Sequence, residues 1–346
     1  MASAYDYTKD ELANLLAREP RYRVEQLWQG LWNESLAIEE ITTIPKALRA
    51  RLVEQFPSSL AVANDVESDH GSTRKWVFTL ADGATIETVL MSYEDRVTVC
   101  VSSQAGCAMG CTFCATGQAG FTRHLSVGEV LEQVVFAVRA AAPRRLSNVV
   151  FMGMGEPLAN YDVTIGAVRR LHDYLGLSTR HLTVSTVGVV PAIERMAREG
   201  LALTLAVSLH SANNVTRDEL IPLNRRYPLE RLHDACAEWT ALTGRRLSFE
   251  WALIDGVNDT SVALDELANY ASSLSAHVNL IPLNPTPGFL VRGTPVPRVR
   301  EFRDGLIERG VNATVRNTRG RSIDAACGQL ANVTNAKRRS IRVRSL

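Results

Sequence analysis

The 346-residue chain has no apolar run long enough to span a membrane, which excludes a transmembrane helix. Met1 to Leu12 lacks a basic stretch followed by an apolar one, so no secretory signal is expected. There is no internal repeat and no low-complexity segment. Lysine is scarce, and nearly all the positive charge is arginine. Codon usage alone can produce that bias, so it is not read as phosphate recognition. Cysteine is sparse too. Of six, three are clustered, and no second pair exists that would complete a four-cysteine zinc module. This usage points to a reducing compartment and a metal or redox role, and the expectation is a cytoplasmic protein.

The clustered cysteines are Cys107, Cys111 and Cys114, spaced Cys-x3-Cys-x2-Cys in a loop with Gly106, Gly110 and Gly117. Three thiolates are one short of what a cubane iron–sulfur cluster usually receives from protein. A cluster held at three corners leaves one iron open. That iron can chelate the amino and carboxylate groups of S-adenosylmethionine (SAM), and an electron from the cluster can then break its carbon–sulfur bond. A zinc site is the alternative, with His124 as the only nearby fourth ligand. Buried inert thiols are the third reading, against which the three glycines argue.

Charge is unevenly spread. From Phe289 onward there are thirteen Arg or Lys against four Asp or Glu, an excess of nine, so the rest carries −8 to give the total of +1. The tail includes Lys337, Arg338, Arg339, Arg342 and Arg344. A basic end on an otherwise acidic protein suits phosphate backbones, and a plain solvated tail would look the same.

Small helices are predicted over Asp10 to Ala17, Arg23 to Trp32 and Pro45 to Gln55. A hairpin follows, Lys75 to Leu80 and Thr85 to Met91, turning at Asp82-Gly83. After the strand Arg96 to Ser102 and the cysteine loop, predicted strands alternate with predicted helices as far as Arg316. Such alternation implies a parallel sheet, and about six units predict an incomplete (βα)6 TIM-like barrel of α/β class. The expected divisions are a helical accessory domain (1–60), a β-meander extension (61–92), the core barrel (93–322) and a C-terminal segment with the basic tail (323–346).

Ligand sites in such barrels lie at the carboxyl ends of strands. There the sequence places Gly153 to Pro157, Ser185 and Thr186, Ser208 to His210, and Asn284. The glycines would let backbone approach a ligand, and Glu156 could accept from a ligand ammonium. His210 could equally be a satisfied structural histidine. Cys236 falls on a helical face with Leu232 and reads as packing. Cys100, in the strand before the cluster, reads as core, while Cys327, in a polar stretch beside Gly328, reads as a possible nucleophile.

Assembled, these stretches resemble the RlmN/Cfr family of radical SAM RNA methyltransferases, most nearly its RlmN branch. The likeness rests on Cys100 to Cys107, the loop through Gly117, Gly153 to Pro157, Ser208 to His210, Pro282 to Pro285 and Ala325 to Leu330. It implies a radical SAM barrel, one 4Fe-4S cluster on Cys107, Cys111 and Cys114, and two SAM molecules per turnover. SAM contacts would come from Gly155, Glu156, Ser185, Ser208, Leu209, His210 and Asn284. Cys327 would carry a methyl group, Glu87 would be the base that removes a ring proton, and Cys100 would resolve a covalent protein–RNA adduct. The residues alone make Glu87 only a candidate, since a strand glutamate is more often solvated. The implied substrates are 23S rRNA and tRNA adenosines, methylated at C2, or at C8 in the Cfr manner. The implied partner is a flavodoxin or ferredoxin electron donor, with a monomer and no membrane. A radical SAM enzyme acting on another substrate, or a non-enzymatic metal-containing RNA-binding module, remains the alternative of a different class.

Overall fold

The structure, a computed structural model, describes residues 2–286, 289, 291–317, 319–326 and 328–330. Its first elements are the helices α1 (Lys9–Leu15), α2 (Arg21–Trp28) and α3 (Lys46–Gln55). Helix α2 runs on into a π-helical turn, Gln29–Asn33. Val24, Leu27, Trp28 and Leu31 are buried there, as their helical spacing predicts, and Trp32 is buried with them. Trp28 and Trp32 meet Tyr174 edge-on at 4.7 and 5.0 Å, which docks these helices on the later chain.

An antiparallel meander follows: β1 (Leu60–Ser68), β2 (Thr73–Leu80), β3 (Thr85–Ser92) and β4 (Val97–Cys100). The Asp82-Gly83 turn forms as expected. Gly83 sits at φ 80°, and Asp82 Oδ1 accepts from the Ala84 amide at 3.0 Å. Strand β1 is not foreseen by the sequence. It is an edge strand exposed along most of its length, so no burial alternation marks it.

The cysteine loop lies between β5 (Gln104–Gly106) and β6 (Phe121–His124), with α4 (Ala115–Ala119) inside it. The regular alternation then begins: α5 (Val127–Ala141), β7 (Asn148–Phe151), α6 (Tyr161–Asp173), β8 (Leu182–Thr186), α7 (Val190–Ala197) and β9 (Thr204–Ser208). It continues with α8 (Asn214–Leu220), α9 (Leu229–Thr243), β10 (Ser248–Leu253), α10 (Ser261–Ser273), β11 (His277–Pro282), α11 (Val296–Glu308) and β12 (Asn312–Val315). Cys236 is fully buried in α9, as packing requires.

All the strands except β5 and β6 form one sheet, ordered β1-β2-β3-β4-β7-β8-β9-β10-β11-β12. From β4 through β12 every neighbouring pair is parallel. Each crossover carries helix, which gives the incomplete (βα)6 barrel. Among the described residues β12 pairs with β11 alone, while the outer edge of β4 is taken by β3, so the sheet stays open. Among the described residues no helix is long and apolar enough to cross a membrane.

One buried side chain sets the approach to the cysteine loop. Gln133 of α5 accepts from Thr88 Oγ1 and the Ser102 amide, both at 2.8 Å. It also donates to the Ser102 carbonyl at 3.0 Å. Both ends of its amide are thus spent on β3 and on the backbone leaving β4.

Candidate active site

Cys107, Cys111 and Cys114 line one cavity at the carboxyl ends of the parallel strands, with an empty volume of about 1060 Å³ counting its open mouth. Gly106 starts the loop at φ 77°, where an added Cβ would stand 2.0 Å from the Gly120 carbonyl oxygen, so only glycine fits.

Burial pushes the Cys107 thiol up to about 12 and the Cys111 thiol well above its ordinary range, and the neighbouring cysteines add to both. Thiols in this state release their protons on meeting a cation. Among the described residues no three His, Cys, Asp or Glu side chains converge as ligands of a single ion would. A cubane takes one thiolate at each iron, so its ligands stand further apart. Three thiols beside this much open space fit a cluster held at three corners. His124, the fourth ligand a zinc site would need, is exposed on β6. Its Nδ1 is 3.1 Å from Gln104 Nε2 and its ring meets Phe121 edge-on at 5.2 Å.

Of the residues that the family likeness assigns to SAM, Gly155, Glu156, Ser185, Ser208, His210 and Asn284 all line this cavity. Leu209 sits wholly in the core instead, with its carbonyl accepting from Arg217 Nε at 3.0 Å. Gly155 has φ 101°, and its Cβ would stand 2.5 Å from the Cβ of Gln104. Packing of the chain on itself already demands glycine there. Thr186 is likewise committed, since its hydroxyl accepts from the Gly188 and Val189 amides and so turns the chain into α7.

Glu156 is buried, and its carboxylate accepts from the Leu158 and Val187 amides at 2.9 Å each. Burial nevertheless pushes its carboxyl up to about 7. Two oxygens offer about four acceptor sites, so room remains for a ligand ammonium. His210 has φ 55°, and its Nδ1 accepts from the Ala252 amide at 2.8 Å. That bond assigns the proton to Nε2. Burial holds the ring down at about 3, hence neutral. It is both a satisfied structural histidine and part of the cavity wall.

Two buried cations escaped the sequence reading. Arg217 of α8 donates to the Val187 carbonyl at 2.7 Å and to Asn224 Oδ1 at 2.7 Å, besides Leu209. It thus ties together the turns that follow β8 and β9. Lys75 of β2 is the other. The Asp82-Gly83 turn fixes a register in which Lys75 faces Val89 and Val77 faces Glu87. Lys75 and Glu87 are therefore diagonal neighbours on one sheet face, a signal present in the sequence once that hairpin is accepted. Glu87 is only 1% exposed, not solvated, and Lys75 Nζ stands 3.1 Å from its Oε2.

Cys100 lies opposite Val89 on the same face. It lines a second cavity together with Val89, Met91, Ala325 and Ala326. Met152, Ile281, Arg316 and Leu330 line both cavities, so the two adjoin. Cys327 lies outside the described residues. Its flanks do not: Ala326 lines the cavity of Cys100, and Gly328 lines the cavity of the cluster cysteines. The Gly328 carbonyl accepts from the Ala115 amide at 2.8 Å, and the Leu330 carbonyl from Thr116 Oγ1 at 2.5 Å.

An open parallel barrel with three cysteines in the loop after its first strand defines a radical SAM enzyme, and the Radical SAM superfamily model matches residues 101–268. The chain is 50% identical to a probable dual-specificity RNA methyltransferase RlmN of Salinispora tropica, over 90% of this chain and 88% of that one. It is 52% identical to the protein so described in Parafrankia sp., over 90% and 86%. The crystal structure of a radical SAM methyltransferase from Sphaerobacter thermophilus superposes with a TM-score of 0.93 at 48% identity, over 95% of this chain and 99% of that one. The chain belongs to the RlmN family of radical SAM RNA methyltransferases. Membership carries with it a 4Fe-4S cluster and SAM.

Proposed function

We propose that the protein methylates C2 of a specific adenosine in 23S rRNA and of a tRNA adenosine, by way of a methyl group carried on Cys327. The observation that carries this reading is the bracketing of position 327, with Ala326 beside Cys100 and Gly328 beside the cluster cysteines. When bound, the cluster supplies the electron that cleaves SAM to a 5′-deoxyadenosyl radical.

The chain's own residues do the rest. Cys107, Cys111 and Cys114 hold the cluster. Glu156 accepts from the SAM amino group, while Gly155, Ser185, Ser208, His210 and Asn284 complete its seat. The Leu209 side chain is in the core, so any contribution from it is through backbone. The Cys327 thiolate takes a methyl group from one SAM. Once that methyl has lost a hydrogen atom, its carbon bonds to C2 of adenine, a position too electron-poor to attack SAM itself. Glu87 removes the C2 proton, the one unpaired electron of the adduct would return to the oxidised cluster, and the Cys100 thiolate attacks the sulfur of residue 327. The sulfur–carbon bond breaks with its electron pair going to carbon, that carbon takes up a proton to become the methyl group, a Cys100–Cys327 disulfide forms, and methyladenosine leaves. A flavodoxin or ferredoxin supplies electrons. The N-terminal helices and the basic tail contact RNA, and the protein works as a cytoplasmic monomer.

The test is a denaturing gel of variants expressed in cells, with and without ribonuclease. Cys327→Ala forms no product and no adduct. Cys100→Ala is still methylated at Cys327 and accumulates a nuclease-sensitive covalent band. Normal turnover by Cys100→Ala with no such band would sink the resolving role. Mapping the methyl group on the RNA by mass spectrometry separates C2 from C8.

A further inference from the structure

The chain holds four lysines, at positions 9, 46, 75 and 337, against thirty-four arginines. Of the three among the described residues, Lys75 alone is buried. Its Nζ has two partners from opposite ends of the chain. It stands 3.1 Å from Glu87 Oε2 on β3 and donates to the Asp324 carbonyl at 3.1 Å. Asp324 is three residues before Cys327 and sits at φ 50°, a left-handed conformation disfavoured for aspartate. Such a conformation persists where surrounding contacts over-determine it. Here Lys75 takes the Asp324 carbonyl, and the Ala325 amide donates to the Gly320 carbonyl at 2.9 Å. Two further charged groups among the described residues hold this segment. Arg319 donates to Ser72 Oγ and the Ser92 carbonyl, both at 2.9 Å, and Asp69 accepts from the Gly320 amide at 2.9 Å.

We propose that Lys75 is a positioning residue of the methyl transfer, which keeps Glu87 charged and joins it to the segment leading into Cys327, so that the base is set when that segment is seated. The proposal rests on the reading of Glu87 as the base. Keeping a carboxylate this buried charged without a compensating cation is strongly unfavourable. A single ammonium with rotatable donors can serve the carboxylate and the carbonyl together. The planar guanidinium used almost everywhere else in this chain is less suited to two partners in different directions.

The test compares Lys75→Met, Lys75→Arg and Glu87→Ala in the full-length enzyme, loaded with cluster and supplied with SAM and RNA. Three quantities are read: methyl on Cys327 by mass spectrometry, the nuclease-sensitive covalent band, and product. Lys75→Met is expected to keep the methyl on Cys327 and to accumulate the band as Glu87→Ala does. Its product rate should fall at least about 100-fold, the low end of what a positioned base contributes. Lys75→Arg, which keeps the charge but serves the two partners less well, should recover part of that loss. Should Lys75→Met fail to fold, Lys75→Gln, which is neutral but still a donor, replaces it with the same expectation. A Lys75→Met protein that turns over normally overturns the proposal. So does one that loses methylation of Cys327 and shows no band, because that pattern marks a structural defect. If Glu87→Ala accumulates the band and Lys75→Met does not, the base reading stands and only the role of Lys75 falls. If Glu87→Ala shows no band, the base reading falls and takes the proposal with it.

Discussion

Glu156 shows what burial does to a carboxyl before its ligand arrives. Burial holds its carboxyl up at about 7, against the opposing hydrogen bonds from Val187, Leu158 and Thr186. A carboxyl raised on folding contributes stability that is complete below its ordinary value and is lost as pH rises through about 7. In its proposed role the sign for SAM is opposite, because the ionised carboxylate is the better acceptor for the N–H groups of the SAM amine. SAM affinity should therefore rise with pH through about 7. Equilibrium binding across that range checks this, and Glu156→Gln should bind more weakly, at least about tenfold, with no such rise. A flat profile in the unaltered protein would remove Glu156 from the amino-group site. The residue scale is also where sequence is most and least informative. The cysteine triad is legible because all its members fall within eight positions. Glu87 is legible as a candidate, but its burial is not. Its burial depends on Lys75, and on the segment that begins after β12.

Among the elements, the hairpin does more than extend the sheet. Asp69, in the turn between β1 and β2, accepts from Thr73 Oγ1 at 2.8 Å and from the Gly320 amide at 2.9 Å. With Lys75 and with Ser72, which pairs with Arg319, it seats the segment before position 327. Asp69→Ala should loosen that segment. Hydrogen bonds to a charged acceptor are worth about 1.5–3 kcal/mol, so exchange of the Gly320 amide should quicken roughly tenfold or more. Asp69→Asn tolerates the φ of 52° and keeps one acceptor, so it should lose less. Unchanged exchange in Asp69→Ala would show that the segment is held elsewhere. The strand–helix alternation is readable because each buried strand and amphipathic helix carries its own period. Strand β1 has none to carry, being exposed, and α8 is a single short turn-rich helix. Neither could be found from local pattern, and the role of the hairpin is visible only through contacts with residues far along the chain.

The molecule as a whole is acidic over most of its length and basic from Phe289 onward. Binding to RNA should weaken steeply with salt, because phosphate contacts release counterions. Removing the residues from Asn335 on, which lie outside the described part, takes away Lys337, Arg338, Arg339, Arg342 and Arg344. The truncated protein should bind RNA more weakly and show a shallower dependence of log affinity on log salt, by up to about 0.7–0.9 for each phosphate that is no longer neutralised. SAM cleavage should be unchanged. An unaltered slope would make the tail a solvated end.

Lys75 and Asp324 are 249 residues apart, and Asp69 and Gly320 are 251 apart. Contacts that close so long a stretch of chain come late in folding, because the entropy of closure precedes any reward. A ribosome makes the hairpin early and its partner segment near the end. Until that segment lands, the mouth over Cys107, Cys111 and Cys114 lacks the Gly328 and Leu330 carbonyls that meet α4. The nascent protein is thus open for cluster delivery throughout its synthesis, and Cys100 has no neighbour from beyond Gly320 in that interval. In the proposed mechanism, the order of assembly itself keeps the sulfurs of Cys100 and Cys327 from meeting until the chain is complete.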